Sequence, residues 1–122
     1  MIRRILVVDD NADALEFIKE ALNYQNYDVK IARQGNNILE NIQAYNPDLV
    51  MLDYNIHGVK GDCICRQIKS SPQFFNLPVI ICSAYVDKNT EKEKLACGCD
   101  AVIAKPFSFN ELIDKVGNLI SL

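Results

Sequence analysis

Residues 5–11 of the chain read ILVVDDN, four apolar residues followed directly by two carboxylates and an amide. A run of apolar residues that does not alternate with polar ones is typical of a strand buried on both faces of a parallel sheet. The carboxylates of Asp9 and Asp10 come where such a strand would end. The stretch therefore predicts a central parallel strand with acidic side chains at its carboxyl end.

Similar apolar runs recur along the chain and predict four more strands. They are Leu49–Leu52, Val79–Cys82, Ala101–Ala104 and a weaker run, Val29–Ala32. The segments between the runs are long enough for the crossovers that parallel strands require. Right-handed crossovers would place helices on both faces of an open sheet.

Apolar residues at helical spacing support this alternation of strands and helices. The first stripe follows Asn11, a predicted N-cap, and consists of Ala14, Leu15, Ile18, Ala21 and Leu22. The last stripe follows Ser108, a second predicted N-cap, and consists of Leu112, Ile113, Val116, Leu119 and Ile120. The sequence thus predicts an α/β fold of five parallel strands and five helices, in a single domain over residues 1–122.

Composition narrows the class of protein. The chain has 122 residues, of which 49% are hydrophobic and 24% charged, with a net charge of −3. This balance is ordinary for a globular domain and lacks the basic character of a nucleic-acid footprint. The apolar part of the N-terminus is too short for a signal peptide, and no run reaches the roughly 18 residues of a membrane span. We therefore expect a cytoplasmic domain that binds neither nucleic acid nor membrane.

The five cysteines predict neither a disulfide framework nor a metal site. Their number is odd, and no secretion signal accompanies them. The two C-x-C pairs depart from usual zinc spacing, and Cys63 and Cys65 would lie on different faces of a predicted helix. Reduced thiols that pack as small hydrophobes are the expected state.

Polar side chains follow the predicted strands at equivalent positions: Asp9 and Asp10, Asp53, Ser83 and Lys105. The carboxyl ends of parallel strands form the usual ligand site of an open α/β sheet. Three converging carboxylates would repel one another unless a cation lay among them, and oxygen ligands of this kind suit Mg²⁺. Taken singly, each residue has an ordinary structural explanation as a cap, a turn or a surface group; the ordered set predicts a site for phosphoryl transfer to an aspartate.

The ordered motifs resemble the receiver domains of two-component response regulators, over essentially the whole chain. The motifs are Asp9-Asp10-Asn11 after ILVV, Leu52-Asp53 after DLVM, Ser83-Ala84 after PVII, and Lys105-Pro106-Phe107. The resemblance implies a flavodoxin-like fold with strand order 2-1-3-4-5. It also implies a partner that carries phosphohistidine, either a histidine kinase or a histidine phosphotransfer protein.

The resemblance further implies a role for each residue of the motifs. Asp53 would accept the phosphoryl group, and Mg²⁺ would bind Asp9, Asp10, Asp53 and the backbone carbonyl of Asn55. Lys105 would pair with the phosphoryl group, Ser83 would turn toward it, and the bond before Pro106 would be cis. The domain would then catalyse only its own phosphorylation and dephosphorylation, so it would not be classed as an enzyme. Its output would be a shape change in the surface of the fourth helix, fifth strand and fifth helix, through which a homodimer or an effector could bind.

Three positions depart from the commonest family pattern. Val102 stands where many receivers carry an aromatic switch residue, so the usual ring movement is not expected. Tyr85 would border the phosphoryl group, and we hypothesise that its ring slows hydrolysis; an ordinary loop tyrosine is the alternative. His57 stands where the family often has proline, and a solvated loop histidine is the favoured interpretation over a metal ligand.

Two rival functions remain open at this point. A phosphatase of the haloacid dehalogenase type would need a second acid two residues after its nucleophile, where this chain has Asn55. A degenerate receiver, which binds proteins without taking phosphate, is the stronger alternative, although no member of the motif is missing.

Overall fold

The computed structural model describes residues 2–84, 92 and 95–120, and in them the predicted parallel sheet is present. Its five strands are β1 (Arg4–Val8), β2 (Asp28–Ala32), β3 (Leu49–Asp53), β6 (Val79–Ser83) and β7 (Ala101–Ala104). A separate two-stranded hairpin consists of β4 (Asn55–Ile56) and β5 (Val59–Lys60). The apolar runs of the sequence thus locate the sheet strands to within one residue at each end.

The sheet order is β2-β1-β3-β6-β7, with every neighbouring pair parallel. Counting only these five strands, the spatial order is the 2-1-3-4-5 expected from the resemblance. Chain order reverses beside β1, so the crossovers leave the sheet on opposite faces. In open α/β sheets, ligands usually bind at such a reversal, which here lies at the carboxyl ends of β1 and β3.

Four helices lie within the described residues: α1 (Ala12–Tyr24), α2 (Ile38–Tyr45), α3 (Gly61–Lys69) and α4 (Phe109–Leu119). Five helices were predicted, so the helix count is only partly confirmed. The remaining predicted helix, near residues 88–94, falls mainly on residues outside those the structure describes. No helix of the described residues is long and apolar enough to cross a membrane.

Two apolar clusters cover the two faces of the sheet. The first packs α1 and α4 against β1, with Leu15, Ile18 and Leu112 at its centre. The second packs α2 and α3 against the opposite face, with Ile42 and Ile68 fully covered. Successive residues of a strand point to opposite faces, which is why ILVV is apolar without a break.

Both predicted N-caps hold the start of their helices. The Asn11 side chain accepts a hydrogen bond from the Ala14 amide at 3.0 Å. Ser108 accepts from the Glu111 amide at 3.1 Å, and the Glu111 side chain accepts from the Ser108 amide, which completes a capping box. Asn11 directly follows Asp10, and Ser108 directly follows Phe107. The two caps therefore fix where the loops after β1 and β7 end.

The hairpin between β3 and α3 was not predicted. Its two-residue turn consists of His57 and Gly58, with φ of 51° and 81°, the arrangement of a tight hairpin with both central residues left-handed. Strands of two residues carry no readable hydrophobic period, which explains why the sequence pattern does not indicate this hairpin.

Candidate functional site

The pairing of β1 with β3 brings the three predicted acidic residues together. Val8 is in register with Leu52, so Asp9 and Asp10 follow β1 at the level where Asp53 ends β3. Carboxylate oxygens of Asp9, Asp10 and Asp53 all lie within 4.8 Å of one another. The predicted convergence of these side chains is therefore confirmed.

Lys105 reaches this acidic group from the end of β7. Its Nζ donates a hydrogen bond to Asp9 Oδ2 at 2.8 Å and lies 3.3 Å from Asp53 Oδ1. The Lys105 amide donates to the Ser83 carbonyl at 2.8 Å, and the Lys105–Pro106 peptide bond is cis. The Lys105 side chain therefore extends from the end of β7 to the carboxylates that follow β1 and end β3.

Asp9 and Asp10 are neighbours in sequence but have different surroundings. Asp9 is only 2% exposed, and its second carboxylate oxygen accepts from the Asn11 amide at 2.9 Å. Asp10 is half-buried and accepts from the His57 amide at 2.9 Å. Asp9 is therefore held against Lys105, whereas Asp10 is held by the hairpin turn.

Burial and charge shift the protonation equilibria at the site. Burial and the Asp9 carboxylate raise the pKa of Asp53, while the Lys105 ammonium acts in the opposite direction. Burial alone would lower the pKa of Lys105, but its hydrogen bond to Asp9 and the charges of Asp9 and Asp53 raise it overall. Lys105 is therefore a permanent cation at neutral pH and the local counter-ion of the acidic group.

The roles of the remaining predicted site residues stay predictions. Ser83 ends β6 and is 4% exposed, whereas Asn55 begins β4 and is exposed. Val102 is a buried residue of β7. Tyr85 lies outside the described residues, so the hypothesis about its ring is not addressed.

His57 contributes to the site in a way that sequence reasoning missed. Its imidazole Nδ1 is 3.8 Å from Asp10 Oδ2, but the side chain is 60% exposed. The closer contact is made by its backbone amide, which donates to Asp10. In the sequence, only the His57-Gly58 pair could have indicated this contact, because both residues adopt the left-handed turn from which the His57 amide donates to Asp10.

One further nucleophile candidate near the aspartates is a cysteine thiol, that of Cys82. None of the five cysteines, all of which the structure describes, forms a disulfide; Cys63 is exposed and Cys65 is buried, as their spacing predicted. Cys82 pairs with Asp53 across the β3–β6 ladder, and burial raises the pKa of its thiol to about 12. A thiol that stays protonated at neutral pH is a poor nucleophile.

Gly61 allows α3 to begin close against the end of β3. A Cβ atom at this position would collide with the Asp53 carbonyl oxygen and would lie 3.0 Å from the Tyr54 Cα, both of them backbone atoms. The close approach holds the start of α3 against the backbone of Asp53 and Tyr54. A side chain at residue 61 would have to push the two segments apart.

Replacement of Gly61 by Ala is expected to lower the free energy of unfolding by about 2 kcal/mol, because overpacking against backbone cannot relax cheaply. Gly117→Ala is the matched control, since Gly117 lies within α4 and a Cβ there has nothing within 4 Å. That control should gain roughly 0.5 kcal/mol from the better helix propensity of Ala. Urea unfolding of both variants checks the pair, and equal stabilities would contradict the close approach.

The donor set fits a hard divalent cation. Among the described residues, the three carboxylates outnumber the one ammonium that contacts this group, that of Lys105. Clustered carboxylate oxygens at this spacing are ligands that Mg²⁺ prefers, since it binds through one or two carboxylates and retains waters. The structure thus provides an acidic group that could bind a metal ion.

Comparison with known proteins agrees with this geometry. The family model for the response regulator receiver domain matches residues 5–117. The chain belongs to this family. It is accordingly a receiver domain of the kind used in two-component signalling, with the flavodoxin-like fold that the resemblance implied.

Individual relatives show how widely such domains are used. The chain is 35% identical over 118 residues to hybrid signal transduction histidine kinase D of Dictyostelium discoideum, covering 97% of this chain and 8% of that protein. It is 32% identical over 117 residues to response regulator MprA of Mycolicibacterium vanbaalenii, covering 96% of this chain and 50% of that protein. The chain therefore spans half or less of the length of these curated relatives.

A solved structure supports the same assignment. The receiver domain of Francisella response regulator 1452 superposes with a TM-score of 0.87 at 32% identity, covering 96% of this chain and 95% of that one. The likeness covers nearly the whole of both chains, so this chain has the receiver-domain fold as well as the family's sequence pattern.

Proposed function

We propose that this receiver domain accepts a phosphoryl group on Asp53 from a phosphohistidine donor, and that the modified domain signals through a change of shape. One observation carries the proposal. The Lys105 ammonium lies 3.3 Å from Asp53 Oδ1 while it is hydrogen-bonded to the buried Asp9. A nucleophilic carboxylate and a cation for the incoming phosphoryl oxygens therefore lie side by side at the carboxyl ends of the strands.

In the proposed step, an Asp53 carboxylate oxygen attacks phosphorus and forms a P–O bond. The P–N bond to the donor imidazole breaks, and its electron pair stays with the departing ring nitrogen. A carboxylate nucleophile carries no proton to be removed, so the step needs no general base. Lys105 would stabilise the charge that spreads over the phosphoryl oxygens, as preorganised cations do in phosphoryl transfer.

Mg²⁺ is the proposed cofactor, with Asp9, Asp10, Asp53 and the Asn55 carbonyl as its protein ligands. When bound, the ion would neutralise charge on the carboxylates and on the phosphoryl oxygens. Within the chain, Asn11 and Lys105 hold Asp9, and the His57 amide holds Asp10. The ligands are therefore oriented by neighbours that are not themselves ligands.

The proposed output follows from the position of Ser83. An aspartyl phosphate would carry roughly 1.5 to 2 negative charges, by analogy with other phosphorylated residues, in place of the single charge of the Asp53 carboxylate. Movement of Ser83 toward the phosphate would then change the surface formed by β7, α4 and the helix predicted near residues 88–94. A homodimer or an effector would bind that surface. Because Val102 replaces the usual aromatic residue, backbone and loop movement would carry the change.

The proposal extends to setting and partners. The donor would be a histidine kinase or a histidine phosphotransfer protein, in the cytoplasm. The domain would act on no substrate other than its own Asp53, so it would not be an enzyme in the usual sense. These statements rest on the family and on the site described above.

Incubation with acetyl phosphate tests the proposal. Intact mass should show one added phosphoryl group in the presence of Mg²⁺ and none with EDTA in place of the metal. The label should be released by hydroxylamine, as expected of an acyl phosphate. A folded protein that binds Mg²⁺ but takes no label would instead favour the degenerate receiver, which binds partners without phosphorylation.

A further inference from the structure

Strand β2 lies at one end of the sheet order and pairs with β1 alone among the strands that the structure describes. Its first residue, Asp28, donates its amide to the Arg3 carbonyl at 2.9 Å, and its last carbonyl, that of Ala32, accepts from the Asp9 amide at 3.1 Å. Along a strand, the backbone groups of successive residues point to opposite sides. The backbone groups of Asp28, of Ala32 and of the residue midway between them therefore point toward β1, and the two other residues of β2 point theirs outward.

The outward-pointing backbone groups belong to Val29 and Ile31, and we name this side of the strand the β2 edge. Within the described residues, the amides and carbonyls of Val29 and Ile31 form no hydrogen bond. Water can satisfy such groups in a monomer, but an open row of them is also a template for a further strand. The β2 edge therefore offers main-chain hydrogen bonds to a strand whose side chains match its own.

A second copy of this chain is the occupant that the side chains of β2 favour. Two copies related by a twofold axis would pair β2 with β2 in the antiparallel direction, with one residue opposite itself at the axis. An axis at Asp28 or at Lys30 would set like charges directly opposite each other, which destabilises a strand pair. An axis at Ile31 or Ala32 would leave Lys30 opposite an uncharged residue. Among these positions, only an axis at Val29 sets Asp28 of each copy opposite Lys30 of the other.

The backbone also agrees with an axis at Val29. Its amide and carbonyl point outward, so the two Val29 residues would exchange both of their N–H···O bonds. The pairs on either side, Asp28 with Lys30, would then be of the non-hydrogen-bonded kind, in which the side chains approach most closely. Asp28 and Lys30 are both exposed, and the Tyr45 hydroxyl donates to Asp28 Oδ2 at 2.6 Å, which holds the carboxylate beside the strand. Charge and hydrogen-bond direction thus select the same register.

We propose that two copies of this chain associate through the β2 edge, antiparallel about Val29, to form one continuous sheet with five strands from each copy. The pairing needs no phosphoryl group, so it would exist in the unmodified protein. Strand β7 lies at the other end of the sheet order, and the proposed output surface therefore stays accessible in the pair. The inference does not depend on the proposed function of Asp53.

Sedimentation velocity of the unmodified chain, from about 10 µM to about 1 mM, measures the association. The wild type should convert from monomer to dimer within this range. Lys30→Asp, which would set Asp28 of each copy opposite a second carboxylate, should weaken the association about tenfold or more. Asp28→Lys should do the same, and an equimolar mixture of the two variants should associate like the wild type, because an acidic edge then meets a basic one. Amide hydrogen exchange at Val29 and Ile31 should slow as the dimer forms.

Lys115→Asp is the matched control, because Lys115 is an exposed residue of α4 and its replacement makes the same charge change away from β2. This variant should dimerise like the wild type. Thermal unfolding confirms that each variant is folded; if Asp28→Lys is not, since it loses the Tyr45 contact, Lys30→Asp and the amide exchange decide. A wild type that stays monomeric would overturn the inference, as would a dimer that Lys30→Asp leaves intact or one that only Lys115→Asp disrupts.

Discussion

Replacement of Asp53 by Asn is expected to lower the rate of labelling by acetyl phosphate by about 10³-fold or more, as loss of a nucleophile usually does. The amide matches the carboxylate in size but offers no ionised oxygen to attack phosphorus. The side chain lies within 4.8 Å of Asp9 and Asp10 oxygens, so the variant also tests whether either of them can substitute. Intact mass and peptide mapping measure the label and its position.

Stability provides the internal check on this variant. Folding raises the pKa of Asp53, so the ionised carboxylate opposes folding at neutral pH. Asn removes that charge, and Asp53→Asn should be at least as stable as the wild type in EDTA. Asp114→Asn, the same change at an exposed position of α4, should label like the wild type. Wild-type labelling of Asp53→Asn, with the phosphoryl group mapped to Asp9 or Asp10, would refute Asp53 as the acceptor.

Replacement of Lys105 by Met is expected to have the second large effect, on rate and on stability together. Loss of one preorganised group that stabilises transition-state charge typically costs about 10²-fold in rate. The same change leaves Asp9, which is 2% exposed, without its ammonium partner at 2.8 Å. Removal of one partner from a buried pair costs about 3 kcal/mol. Labelling by acetyl phosphate and urea unfolding in EDTA measure the two effects.

Addition of Mg²⁺ should restore part of the stability of Lys105→Met, because a cation would again lie among the three carboxylates. Lys115→Met is the matched control, since Lys115 is an exposed residue of α4. Its unfolding free energy should stay within about 0.5 kcal/mol of the wild type. If Lys105→Met labels at the wild-type rate, the ammonium has no part in the transfer. If its stability in EDTA is unchanged, the contact with Asp9 contributes nothing to folding.

The hydrophobic pattern predicted the strands well because the apolar run of each strand is local in the sequence. A strand covered on both faces must be apolar at every position, and the apolar runs of β1 and β3 end at charged residues, Asp9 and Asp53, that both contact the Lys105 ammonium. The N-caps at Asn11 and Ser108 are equally local, since each bond spans three residues. The hairpin of β4 and β5 was missed because two residues are too few to show a period.

The sequence by itself therefore determined the strands and which side chains stand at their carboxyl ends. Only the tertiary structure decided how those side chains differ. Asp9 is buried against Lys105, 96 residues away, whereas Asp10 is held by the amide of His57 in a left-handed turn. Asp9 and Asp10 have different partners because successive side chains at the end of a strand point in opposite directions. The order of strands in the sheet determines which residues each side chain meets. That order is set by packing across the whole chain.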